Sequence, residues 1–180
     1  MHDSTPQVPP HYSSTVRALL RYSIAMLVFA LLSGVAFQES SKKLDYAEIA
    51  PGARLEAVLS LALVHGHAFV TGVLLPIALA GALFLARKCG GAELSARSLR
   101  WLTRGYLPFV TANVLLMLYK GYHVLLAVRF GERDFDLIDA RFFGGSLALR
   151  HGIYGTVHVG MALSLGVFGV ALWRSLKSRE

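Results

Sequence analysis

The sequence predicts an all-α fold, an integral membrane four-helix bundle with both termini on the cytoplasmic side. Three observations carry this. Hydrophobic residues make up 54% of the 180 residues and charged residues 16%, against about 45–50% and about 25% in an average soluble domain. The apolar residues are gathered into four long runs, and about 20 apolar residues suffice to cross a bilayer. The basic residues lie mostly beside those runs, where they set orientation and meet lipid headgroups.

Residues 1–16 are polar and carry Pro6, Pro9 and Pro10. Such a stretch buries no core and is expected to be a disordered tail. The first span covers about 18–37, behind Arg17 and Arg21. Gly34, Val35 and Ala36 have the small side chains that a signal peptidase favours. The expectation is nevertheless an uncleaved helix, in which Ala30, Ser33 and Gly34 serve close helix packing.

A polar loop follows, and Pro51–Gly52 opens the second helix, because proline is tolerated in a first turn. Its span covers 55–86, longer than a bilayer needs, so its start protrudes or tilts. Arg87 to Arg104 is a basic connection to the third span, 105–128. In the loop after it, Phe135, Ile138 and Phe142 stand at helical spacing and predict a short interfacial helix. The fourth span covers 150–173 and ends in a basic tail. Residues 17–174 thus form one transmembrane domain, with 175–180 beyond it.

Orientation follows from the lysines and arginines. Ten lie at one end: Arg17, Arg21, Arg87, Lys88, Arg97, Arg100, Arg104, Arg174, Lys177 and Arg179. Seven lie at the other: Lys42, Lys43, Arg54, Arg129, Arg133, Arg141 and Arg150. The richer end is expected to be cytoplasmic, in a bacterial cytoplasmic membrane. The net charge of +7 is thereby a topology signal, and no nucleic-acid partner is implied. The one cysteine, Cys89, makes no internal disulfide and belongs to no haem-attachment motif.

The chemistry-bearing residues are five histidines and a lysine. A helix rises about 1.5 Å per residue, which places His65 and His67 roughly 10–14 Å deep, His158 and Lys120 about 12 Å deep and His123 about 7 Å deep. Three helices therefore bring a polar side chain to one level in the outer half of the bundle. His151 and His158 are seven apart and share a face with Gly155, Ala162, Gly166 and Gly169. His65 and His67 point to nearly opposite sides, so at most one faces a given ligand. Lys120 is a charge in the hydrocarbon region, which costs several kcal/mol unless paired or near water. Glu39, or an acidic ligand such as a haem propionate, is its expected partner.

Each feature also has a plain structural reading. A histidine can bond a carbonyl one turn away, Lys120 can snorkel to the headgroups, and small-residue ladders mark helix packing or oligomer contacts. The sequence contains no phosphate loop, no H-E-x-x-H and no nucleophile–base pair, which speaks against a hydrolase or transferase.

Several segments, in order, resemble an uncharacterised bacterial family of four-span membrane proteins, domain of unknown function 2871. Ser33-Gly34-Val35 followed by Glu39 is similar to that family's first-span ending. Val64-His65-Gly66-His67, with Gly72 after it, looks like its V-H-x-H segment. Lys120-Gly121 stands where the family has Arg-Gly. Gly152-Ile153-Tyr154-Gly155 leading to His158 looks like its last segment. The resemblance covers most of residues 20–173 and carries over Glu39, His65, His67, Lys120 and His158. His123, His151 and the long loop after the third span depart from the pattern. The family has no established activity, so the resemblance implies topology more than mechanism.

The expected function is non-covalent haem b binding, for electron transfer or for redox or gas sensing. Haem iron takes axial histidines in a bundle, and His67 and His158 are the expected ligands, with Lys120 on a propionate. His65, His123 and His151 are lesser candidates. The alternatives are copper or zinc handling, since imidazole suits both metals, and a structural or assembly subunit without ligand. The expected surroundings are the lipid bilayer and other membrane redox proteins.

Overall fold

The computed structural model of the chain describes residues 9–44, 49 and 51–177, all of them helix, turn or loop. Four helices are long and apolar enough to cross a membrane: α1 (Pro10–Ser41), α2 (Gly52–Lys88), α3 (Ala96–Arg129) and α5 (Leu147–Lys177). The short α4 (Phe135–Ala140) lies between α3 and α5, with Asp134 capping it by accepting from the Leu137 N–H at 3.0 Å. By length and composition the chain is an integral membrane protein.

α1 begins seven residues before the Arg17 that marked the expected end of a disordered tail. Tyr12, Thr15, Leu19, Ser23, Met26, Ala30 and Ser33 are its buried residues. They recur every three or four positions, so one stripe continues unbroken into the polar segment. The Tyr12 hydroxyl accepts from the Leu94 N–H at 2.7 Å, and His11 Nε2 donates to the Leu94 carbonyl at 3.1 Å. The low hydropathy of the stretch concealed a stripe whose buried members are tyrosine and threonine. The expectation for residues 1–8 and for the very end of the tail lies outside the described residues.

α2 and α3 each contain a widened π turn, Val70–Leu74 and Trp101–Tyr106. Pro76 and Pro108 follow them. Proline removes a backbone donor and crowds the carbonyl four residues back, and a π turn is one way to absorb this. Some carbonyls of the first π turn are taken up by other helices. Tyr106 Oη donates to the Thr71 carbonyl at 2.7 Å, and Ser23 Oγ reaches the Val73 carbonyl at 3.4 Å. Backbone groups cannot be left unpaired in hydrocarbon, so these side chains tie α1, α2 and α3 together at mid-span.

α2 packs between α1 and α3, with Leu61, Val64 and Ala68 against Val110, Val114 and Val124 in the core. A methyl added at Gly121 would lie 2.9 Å from the Leu61 Cα, so α2 and α3 approach almost backbone to backbone. α5 packs mainly on α3, where Gly105 makes room for Ser164 and Gly160 for Phe109. Only 17% of its apolar window is buried, against 28–33% for the other three. α5 is therefore the peripheral helix, with most of its surface left to its surroundings.

Both ends of the described chain lie at the same end of the bundle. His11 meets Leu94 there, and the Ala92 N–H donates to the Ser175 carbonyl at 2.9 Å. The end of α1, the start of α2 and α4 occupy the opposite end.

Candidate functional site

The polar side chains expected to form one site divide into two groups. The first is at the α4 end. Lys120 Nζ of α3 lies 3.1 Å from Asp139 Oδ1, and Arg150 Nη1 of α5 lies 2.5 Å from Asp139 Oδ2. Arg150 also reaches the Asp139 carbonyl at 3.4 Å, and His123 Nε2 donates to the Ile138 carbonyl at 3.0 Å. One carboxylate on α4 thus joins two spanning helices. Burial alone would raise the Asp139 carboxyl. The hydrogen bonds and charges of Arg150 and Lys120 outweigh that and hold it below the usual carboxylate value.

This corrects the expected partner of Lys120. Glu39 lies just past the bilayer run of α1, pairs with Lys42 at 2.6 Å, and both side chains are 58% exposed. An (i, i+3) partner on its own helix is nearer than any side chain across the bundle. Within the described residues the acid that Lys120 meets is Asp139. The sequence did contain a signal for Asp139. It follows Ile138 on the amphipathic α4, which lies at the interfacial level where a lysine on α3 must find an acid.

Phe142, Phe143, Tyr119 and Tyr154 wall the same region. Phe142 and Phe143 have ring centroids 4.4 Å apart, Tyr119 lies 5.1 Å from Phe142, and Phe143 meets Tyr154 edge-on at 6.5 Å. Phe143 holds φ 55°, a left-handed conformation costly for a bulky residue, and the following Gly144 and Gly145 continue the turn at 65° and 83°. The ring packing fixes Phe143 there. The Tyr154 hydroxyl is buried and meets no hydrogen-bond partner among the described residues.

The second group is on the flanks. His67 and His158 are both exposed on the outside of the bundle. His67 Nδ1 donates to the Leu63 carbonyl at 3.0 Å, and His158 Nδ1 donates to the Tyr154 carbonyl at 2.8 Å. In the neutral ring this leaves the Nε2 lone pair free and directed away from the helix. His65 is also exposed and sits against α1, 3.8 Å from where a Gly34 Cβ would be. His151 is exposed, as are Gly155, Ala162, Gly166 and Gly169 on its face. The buried residues of α5 are Val157, Ser164, Phe168 and Ser175, so the histidine face is turned away from the bundle.

His67 and His158 thus both face outward from the bundle, on different helices. The segment Pro51–Phe69 makes no extended contact with α5, whereas the later segment Leu75–Lys88 of α2 does touch it. Among the described residues no three of His, Cys, Asp and Glu gather as a metal donor set. Compared with protein-family models, curated proteins and solved structures, the chain matches none.

Proposed function

We propose that the chain is an integral subunit of a bacterial cytoplasmic membrane, with both termini on the cytoplasmic side, and that its flank imidazoles ligate haem b. The observation behind this is the state of His67 and His158. Each has its Nδ1 hydrogen fixed on its own helix carbonyl and its Nε2 lone pair outward. That second bond is what orients an imidazole for a metal and sets its tautomer. Because both side chains face outward, a haem held inside one copy of the bundle is not the arrangement proposed. Each copy would instead donate one axial ligand, with the other from a second copy or another membrane redox protein. The small residues beside His158 allow such a surface to approach closely. Haem iron would supply one-electron or gas-binding chemistry, and this chain's part is to hold one imidazole at fixed depth.

An absorption spectrum of the purified protein with iron analysis tests the reading. A Soret band that His158→Ala or His67→Ala diminishes supports it. A colourless, iron-free protein removes it. A second reading, a structural or assembly subunit without ligand, has its own support. Lys120, Asp139, Arg150 and His123 are all used in joining α3, α4 and α5. Copper or zinc handling would need a donor set completed from outside this chain.

A further inference from the structure

We propose a site for a phosphodiester headgroup of an anionic membrane lipid on the first two turns of α3, independent of the haem reading. Arg97, Arg100 and Arg104 line one groove of about 400 Å³ together with Trp101, Gly105 and Phe109. Basic residues at a membrane end are ordinary, and several here are already engaged. Arg87 donates to the Gly91 carbonyl, Arg17 donates to the Ser13 carbonyl, and Lys88 and Lys177 lie over Phe84 and Trp173. Arg97, Arg100 and Arg104 differ. All three are exposed, and no acid pairs with any of them among the described residues.

The groove is graded in the manner of a lipid. Its arginines occupy the terminal end, and Gly105 and Phe109 lie further along α3. Arg97 to Phe109 spans twelve residue-to-residue rises, about 18 Å of helix, long enough for a headgroup and the first part of an acyl chain. Arg104 is the cation nearest the apolar part of the groove, immediately before the span expected at 105–128, which suits a headgroup contact at the membrane surface. The π turn Trp101–Tyr106 is the backbone segment that carries both it and Trp101. Guanidinium forks bind phosphate oxygens two at a time, which ammonium groups do not, and indole rings favour the headgroup level. Three positive charges on one groove suit a lipid with two phosphates, such as a diphosphatidylglycerol, better than one with a single phosphate.

The test uses the full chain in mild detergent, with affinity read from the rise in melting temperature as lipid is titrated in. The probes are diphosphatidylglycerol, phosphatidylglycerol, phosphatidylcholine and inorganic phosphate. Each basic residue near an anionic lipid surface contributes about fivefold in affinity, so Arg97→Gln/Arg100→Gln/Arg104→Gln should weaken diphosphatidylglycerol binding on the order of a hundredfold. Arg21→Gln/Lys177→Gln, which removes two charges from the same end outside the groove, should change it little. Should the triple variant not fold, Arg104→Lys serves instead, keeping the charge and losing the fork, with a several-fold loss expected. The proposal is overturned if the control pair loses as much as the groove variants. It is equally overturned if phosphatidylcholine binds as well as the anionic lipids, or if inorganic phosphate stabilises the parent to the same extent, which would mean a free-anion site.

Discussion

Replacing Asp139 by asparagine removes one negative charge from between two cations and leaves the shape almost unchanged. At 3.1 Å from Lys120, the Coulomb attraction is about 1.3 kcal/mol at the dielectric of water and about 5 kcal/mol at an effective dielectric of 20. The Asp139 side chain is 38% exposed and Lys120 33% exposed, so the lower figure governs, reduced further by the entropy of holding a lysine in place. Arg150 is closer, at 2.5 Å, and only 24% exposed. The two cations meet different oxygens of Asp139, and an asparagine keeps only one acceptor oxygen, so one of the two contacts is lost. The expected cost of Asp139→Asn is therefore about 2 kcal/mol, between the values for exposed and for buried ion pairs. Reversible unfolding in detergent measures it, and a double-mutant cycle assigns it. Lys120→Leu with Asp139→Asn should show about 1 kcal/mol of coupling, within the range for partly exposed pairs. Lys120→Leu with Glu39→Gln should show none. Coupling to Glu39 and none to Asp139 would refute the reasoning. The pH dependence has a defined sign. The folded carboxyl is held below its ordinary value, so its stabilisation is present above the unfolded value of about 3.9 and is lost as pH falls through the folded one. Asp139→Asn should abolish that acid-side loss.

The remaining expectations are simpler. Tyr154→Phe removes a buried hydroxyl without a partner, and unfolding should show unchanged or higher stability, since an unsatisfied group costs about 1–3 kcal/mol; a clear loss would mean that the hydroxyl has a partner. Gly121→Ala forces a methyl to 2.9 Å from the Leu61 Cα and should cost about 1–3 kcal/mol through overpacking. Gly155→Ala enters open space and should gain up to about 1 kcal/mol from helix propensity. Reporters fused after Arg179 and inserted at Lys43 should read cytoplasmic and external respectively, and the reverse would invert the orientation.

The four long helices and the short amphipathic one were legible because they depend on run length and period, which the sequence states directly. The extension of α1 to Pro10 was not, because its stripe is made of Tyr12 and Thr15, which hydropathy counts as polar. The π turns were hidden as well. Pro76 and Pro108 stand inside the spans, but how proline is absorbed depends on which side chains stand opposite. Tyr106 and Ser23 come from other helices. The partner of Lys120 failed for a similar reason. A depth estimate assigns Lys120 a level along α3, yet a level does not distinguish Glu39 from Asp139, and the deciding fact is how α4 folds back onto α3 and α5.

Helical phase correctly placed His151 and His158 on one face of α5 with Gly155, Ala162 and Gly166, but phase does not say whether that face looks inward. In a soluble protein the polar face would be the outer one. In a bilayer both faces of a span are apolar, and small residues mark either a contact made within the bundle or one made outside it. The structure uses Gly105, Gly121 and Gly160 for internal approach and leaves Gly155 and Gly166 facing out. Lys120, Asp139, Arg150 and His123 are satisfied by one another and by backbone, which leaves the Tyr154 hydroxyl as the unpaired buried side-chain atom there among the described residues. Among the described residues the Nε2 atoms of His67 and His158 also meet no hydrogen-bond partner, and an unpaired polar group in hydrocarbon costs about 1–3 kcal/mol by mutational measure. Both atoms lie on the flanks, one of them on the least buried helix. An external surface or cofactor that met them would recover that cost without rearranging the bundle, whereas a ligand inside it would require both side chains to leave the exposed faces they occupy. The physical argument therefore favours a partner on the outside over a cofactor in the core.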